Sequence, residues 1–316
     1  MELQTVISLR DLTKKIGKKT IVDHLSFDIH QGEVFGFLGP NGAGKTTTIR
    51  MMVGLISISE GQVLIHGKNI RTDFKNAIAK VGCIVENPEM YKYLTGYQNL
   101  KHMARMAKVD PSNQVDEKRI SEVVDLVGLG KRIHDKVSKY SLGMRQRLGV
   151  AQALLHRPSI LILDEPTNGL DPAGIRELRD QLRYLAKEEK MAVIVSSHLL
   201  SEMELMCDRV AIIAQGKLVQ VQTVGQMIDS EQEQQVMSIE VNDVGEALTI
   251  IQKTCDANAT QHVDVKNTIQ FTATKEQVAT VIEALVKQEI RVYRVDAQRK
   301  TLEDRFLEIT GGGEIA

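Results

Sequence analysis

The run Gly39-Pro-Asn-Gly-Ala-Gly-Lys-Thr46 fits the pattern G-x-x-x-x-G-K-[ST] at every position. Its chemistry is phosphate binding. Gly39, Gly42 and Gly44 let the backbone curl around Pro40, Asn41 and Ala43 so that its amides point inward at phosphate oxygens. An apolar run, Val34–Leu38, leads into the loop, and a helical pattern from about Lys45 to Val53 follows, adding its positive end. Lys45 is placed to neutralise β- and γ-phosphate charge, Thr46 to give its hydroxyl to Mg²⁺, and Thr47 to donate to the α-phosphate.

A second run, Ile160-Leu-Ile-Leu-Asp-Glu165, is an apolar strand ending in two acids. Such an end places Asp164 beside the phosphate loop, where it can hold Mg²⁺ through water, and Glu165 nearer the γ-phosphate, to polarise an attacking water. Acids at strand ends also cap helices; the phosphate loop is what favours the catalytic reading. Together the motifs indicate a nucleoside triphosphate with Mg²⁺. They do not say which machine uses it.

Positioning these residues requires an α/β layer. Strand patterns at Ile7–Leu9, 21–29, 61–67 and 81–85 and at 160–163 and 192–196 alternate with helical stretches near 96–107, 114–127, from 142, and over 172–188. That alternation implies a largely parallel sheet. Lys14, Lys15, Lys18 and Lys19 around Gly17 read as a solvated hairpin tip. The polar stretch DSEQEQQ at 229–235 suits a linker or the frayed end of a helix. Beyond it, strands at 236–241, 261–265, 268–272 and 290–295 and helices at 244–255 and 275–287 follow the order β-α-β-β-α-β of ferredoxin-like modules, with a hairpin turn at Lys266-Asn267. A last amphipathic helix would carry Leu302, Phe306 and Ile309.

Composition narrows the class. The chain has 316 residues, a length suited to two domains. Lys+Arg 40 against Asp+Glu 41 leaves no global basic field for nucleic acid, and 4% aromatics with no Trp leaves few platforms for bases. Cys83, Cys207 and Cys255 are odd in number and widely spaced, as in a reducing compartment. Neither a secretory layout at Met1–Arg10 nor an apolar run of bilayer length is visible. His262, Asp264 and Cys255 lack metal-ligand spacing and read as surface polar residues.

With these motifs in order, the chain resembles ATP-binding cassette (ABC) ATPases, the motor subunits of ABC transporters, across roughly its first 225 residues. Tyr140-Ser-Leu-Gly-Met resembles the family's L-S-G-G-Q signature: Ser141 and Gly143 match, while Tyr140, Leu142 and Met144 depart. Ser141 also suits the N-cap of the helix that follows. Gly169-Leu-Asp171 resembles the D-loop, and His198 the switch histidine at the γ-phosphate. The resemblance implies a P-loop NTPase fold with a nucleotide-binding domain over 1–228, a helical subdomain at about 87–157, and an accessory α+β domain over 236–316. It implies an ATP-sandwich homodimer, in which Ser141, Gly143 and Asp171 of one copy meet ATP held by the other. It further implies a separate polytopic membrane permease and a location on the cytoplasmic face of the membrane, with no nucleic-acid partner. The competing reading is a soluble ABC-type ATPase acting on ribosomes or DNA. Those relatives carry paired cassettes or a long coiled-coil insertion, and neither is visible here.

Two departures from the family bear on function. Counting back from the phosphate loop, the place of the usual adenine-stacking ring belongs to Ile16. After Val81-Gly-Cys-Ile-Val85 the usual glutamine, a Mg²⁺ contact, is Glu86. A glutamate there, followed by Asn-Pro, resembles the bacitracin-resistance and lantibiotic-immunity exporters, which implies a peptide antibiotic as cargo. Tyr91, Tyr93 and Tyr97 fall in the arm expected to receive the permease, as a partner surface or as core.

Overall fold

The computed structural model describes residues 4–86, 88–106, 115–228, 235–254, 260–263 and 267–298. The helix expected at Leu302, Phe306 and Ile309, the linker residues 229–234, Asn87, Cys255, Asp264 and Lys266 lie outside them. Contacts divide the chain after Val224 into two units.

The first unit opens with a hairpin of β1 (Thr5–Ile16) and β2 (Lys19–His30). Ile16 pairs with Lys19, so Gly17 and Lys18 form a two-residue turn at the tip, as the lysine cluster suggested. The chain continues through β3 (Val34–Leu38), α1 (Lys45–Met52), β4 (Glu60–Ile65), β5 (Lys68–Asn69), α2 (Phe74–Ile78) and β6 (Val81–Ile84). A helical stretch follows, α3 (Gly96–Met106), α4 (Glu117–Leu126) and α5 (Leu142–Leu154). It returns through β7 (Ile160–Leu163), α6 (Pro172–Lys187), β8 (Ala192–Ser197), α7 (Leu200–Met206), β9 (Arg209–Ala214) and β10 (Lys217–Thr223), and α8 (Val224–Ile228) spans the division. The sequence reading assigns no element between His198 and Asp229; α7 to α8 fill that gap.

Two sheets result. One is antiparallel, in the order β2-β1-β4-β5; the other runs β10-β9-β3-β8-β7-β6, parallel from β9 to β6 with β10 antiparallel at its edge. Strands β3 and β7 are buried at every residue, as strands covered on both faces must be. Half of the scarce phenylalanines join the sheets. Phe35 and Phe37 project from the same face of β3, and Phe27 of β2 stacks on Phe35 at 5.5 Å and meets Phe37 edge-on at 5.5 Å.

The second unit is β11 (Gln235–Val241), α9 (Val244–Thr254), β12 (Thr260–Val263), β13 (Thr268–Ala273), α10 (Lys275–Lys287) and β14 (Val292–Gln298). The antiparallel strand order β12-β13-β11-β14 is the ferredoxin-like arrangement. Strict alternation drives it: Ile269, Phe271 and Ala273 are buried, with Met237, Ile239 and Val241 beside them, against Ala247, Ile251, Val281 and Leu285 of the two helices. A capping box of Thr274 and Gln277 starts α10.

Candidate functional site

The buried β3 ends at the phosphate loop, and the sequence dictates how the loop turns. Gly44 occupies the N-cap of α1 at φ 105, a left-handed geometry, and a Cβ there would stand 3.0 Å from the Ile21 carbonyl oxygen. The Ala43 amide donates to the Pro40 carbonyl at 3.1 Å, and Thr48 returns its hydroxyl to the Gly44 carbonyl at 2.9 Å. Gly39 and Ala43 are buried; Asn41 and Gly42 are exposed at the tip; Thr46 and Thr47 are half-buried on the first turn. The first amides of α1 have no helical carbonyl behind them, so donors and dipole are offered to an anion.

Lys45 is 6% exposed. Its Nζ donates to the Gly39 carbonyl at 2.7 Å and to the Pro40 carbonyl at 3.3 Å, and lies 3.4 Å from Glu165 Oε1. Burial pulls the ammonium below the usual lysine range, and Glu165 and Asp164 oppose that pull. A buried cation of this kind favours a polyanion as ligand.

The acids sit where β7 ends. Asp164 is buried and accepts from Ser196 Oγ at 2.6 Å; the Glu165 amide donates to the same Ser196 Oγ at 2.8 Å. Glu165, with its backbone at φ 48, carries its carboxylate between two partners: Lys45 on Oε1, and His198 Nδ1, which donates to Oε2 at 2.9 Å. The structure thus brings Lys45, Glu165 and His198 into one group at the ends of β3, β7 and β8. A carboxylate so held can accept a proton from water, with a cation and an imidazole stabilising charge beside it. Thr46, on the first turn of α1, and Asp164, at the end of β7, are hard oxygen donors of the kind that Mg²⁺ prefers.

The other predicted residues lie elsewhere. Ser141 is the N-cap of α5, accepting from the Met144 amide at 3.2 Å, and Asp171 the N-cap of α6, accepting from the Gly174 amide at 2.9 Å. With Gly143 and Gly169 they line a cleft of ≈ 360 Å³. Ile16 is 60% exposed at the hairpin tip. Glu86, with φ 65, pairs its carboxylate with the guanidinium of Arg50 on α1. Tyr91 and Tyr93 are exposed with ring centres 5.8 Å apart, while Tyr97 is half-buried and donates to Glu117 of α4. The reading from sequence missed Ser196, Ser197, Thr167 and Glu202. Its available signal was the hydroxyl pair preceding His198.

Comparison with known proteins extends over the whole chain. The pattern of the ABC transporter family matches residues 22–168. The uncharacterized ABC transporter ATP-binding protein YhcH of Bacillus subtilis (strain 168) is 56% identical over 309 residues, 98% of this chain and 97% of that protein. The bacitracin transport ATP-binding protein BcrA of Bacillus licheniformis is 39% identical over 313 residues, 99% of this chain and 100% of that protein. A solved structure of an ATP-binding subunit of an ABC transporter aligns with a TM-score of 0.62 at 26% identity, over 71% of this chain and 92% of that one. Likeness of this depth establishes that the chain belongs to the ATP-binding proteins of ABC transporters, which are ATPases.

Proposed function

We propose that the chain is the motor subunit of an exporter for a peptide antibiotic such as bacitracin or a lantibiotic, driving a separate polytopic permease from the cytoplasmic face of the membrane. The observation that carries the motor reading is the Lys45–Glu165–His198 group. The full-length likeness to BcrA supports the cargo class and weighs against a soluble ATPase acting on ribosomes or DNA. Residues 1–228 form the nucleotide-binding domain, with a helical subdomain at about 87–157, and 236–316 an accessory domain.

In this reading, the phosphate-loop amides and Lys45 bind the phosphates, Thr47 donates to the α-phosphate, and Glu165 takes the proton of the attacking water while His198 holds Glu165 in place. Thr46, Asp164 and Glu86 would hold Mg²⁺, which supplies charge neutralisation at the phosphates when bound. Glu86 would give up its partner Arg50 for that role, and so tunes coupling or hydrolysis rather than nucleotide affinity. Ser141, Gly143 and Asp171 close over the nucleotide of a second copy, forming a homodimer. Coexpression with a polytopic membrane protein encoded beside the chain tests this. The pair copurifies from detergent and lowers bacitracin or lantibiotic susceptibility, and Glu86→Gln changes that protection without changing ATP affinity. Failure to copurify, or protection untouched by Glu86→Gln, counts against the respective claims.

Ile16 gives a second expectation. An aliphatic side chain covers the base without aromatic stacking, a contribution of about 1 kcal/mol. GTP should therefore displace a fluorescent ATP analogue with an affinity within about tenfold of ATP's. A hundredfold ATP preference would refute it.

A further inference from the structure

Glu202 lies on α7, only 8% exposed, and the machinery above gives it no task. Its Oε2 accepts from Thr167 Oγ1 at 2.6 Å and from Ser197 Oγ at 3.1 Å. Both donors are buried, at 4% and 1% exposure. Ser197 Oγ accepts in turn from the Leu199 amide at 2.9 Å. A buried carboxylate is costly without such donors, and the 2.6 Å contact has the length of a charge-assisted bond. What distinguishes the carboxylate is what it holds.

It holds two pieces of the hydrolytic site. Thr167 stands two residues after Glu165, and Ser197 immediately before His198. The turn that carries Glu165 needs holding, because its left-handed backbone costs a non-glycine residue about 1–3 kcal/mol. Ser196 grips the start of that turn, at Asp164 and the Glu165 amide. Successive strand residues face opposite ways, so Ser197 leaves β8 on its other side and reaches Thr167 through Glu202.

We infer that Glu202 is a positioning residue for hydrolysis: by tying Thr167 to Ser197 it sets the approach of His198 to Glu165, and with it the aim of Glu165 at water. The inference rests on the hydrolytic reading of Glu165 and His198 given above.

The test uses the full chain, measuring kcat and KM for ATP by phosphate release, and nucleotide Kd by equilibrium binding. Glu202→Ala should lower kcat by about tenfold or more, since small misplacements near reacting groups are expensive in rate. KM and Kd should stay within about twofold, the signature of an interaction that matters in the transition state. Glu202→Gln, whose amide oxygen can accept both hydroxyls, should restore most of kcat; a Gln variant as slow as Ala overturns the inference. Thr167→Val and Ser197→Ala each remove one arm, and should lower kcat several-fold with KM unmoved. They decide the matter if Glu202→Ala does not fold. Unchanged kcat in both, or kcat and Kd worsening together throughout, overturns it. Glu165→Gln run in parallel separates two failures. If it turns over at the parental rate, the hydrolytic reading falls and this inference with it. If it is inactive while the Glu202 series is unaffected, only this inference falls.

Discussion

Glu165→Gln should leave ATP bound and stop its hydrolysis. The expected loss in kcat is about a thousandfold, within the 10²–10⁴ range that a positioned general base contributes. The substitution keeps shape and removes the acceptor proposed for the water's proton. It also removes the charge that Lys45 meets at 3.4 Å and His198 at 2.9 Å. Without that charge the Lys45 ammonium faces less competition for phosphate, so nucleotide affinity should hold or rise. Single-turnover phosphate release and equilibrium binding on the same preparation separate the two effects. A variant that turns over within tenfold of the parent would assign the proton transfer to another group.

The second large effect is expected at a turn behind the phosphate loop, at Gly216→Ala. Gly216 turns the chain between β9 and β10 at φ 79. Its amide donates to the Ala43 carbonyl of the phosphate loop at 3.0 Å, and its carbonyl accepts from the Asp23 amide of β2 at 2.8 Å. A Cβ would stand 2.4 Å from the Ile21 carbonyl oxygen, which is main chain and cannot swing away. Ala therefore meets both an unfavourable φ and a backbone clash, together costing about 3 kcal/mol. The melting temperature should fall by roughly 10 °C. Because the turn leans on the loop itself, ATP affinity should also drop by about tenfold or more. Gln215→Ala is the control, since Gln215 already adopts φ 49 with a side chain in place. A Gly216→Ala protein that melts and binds ATP like the parent would show that the turn merely sits beside the loop.

How much of this was legible in the sequence depends on whether function is local. The phosphate loop reads directly, because backbone amides can cradle phosphate only where glycines stand at fixed spacing and the lysine follows at once. The acids at the end of β7 read for the same reason. The second unit reads from the alternation in β13, whose buried residues are every other one. The links from Ser196 and Glu202 to the acid turn did not read: Ser196 meets Glu165 across 31 residues and Glu202 meets Thr167 across 35, and no local pattern records such pairings. Strand β9 escaped as a short apolar run that periodicity alone cannot assign. Glu86 was visible as an unusual acid, but its partner Arg50, 36 residues earlier, was not.

The end of β8 governs where this protein can change length. Leu163 of β7 pairs with Val195 of β8, which indexes the next three residues, Ser196, Ser197 and His198, against the acid turn. Adding or deleting one residue within 192–198 would shift every one of those partners and turn each side chain to the wrong face. The hairpin tip at Gly17 is the opposite case: it is exposed, and a Cβ there meets nothing within 4 Å. Insertions should therefore accumulate at the tip and be absent from the strand. The hairpin tip and the end of β8 thus stand at opposite extremes, one free to drift in length among descendants of this chain and the other locked.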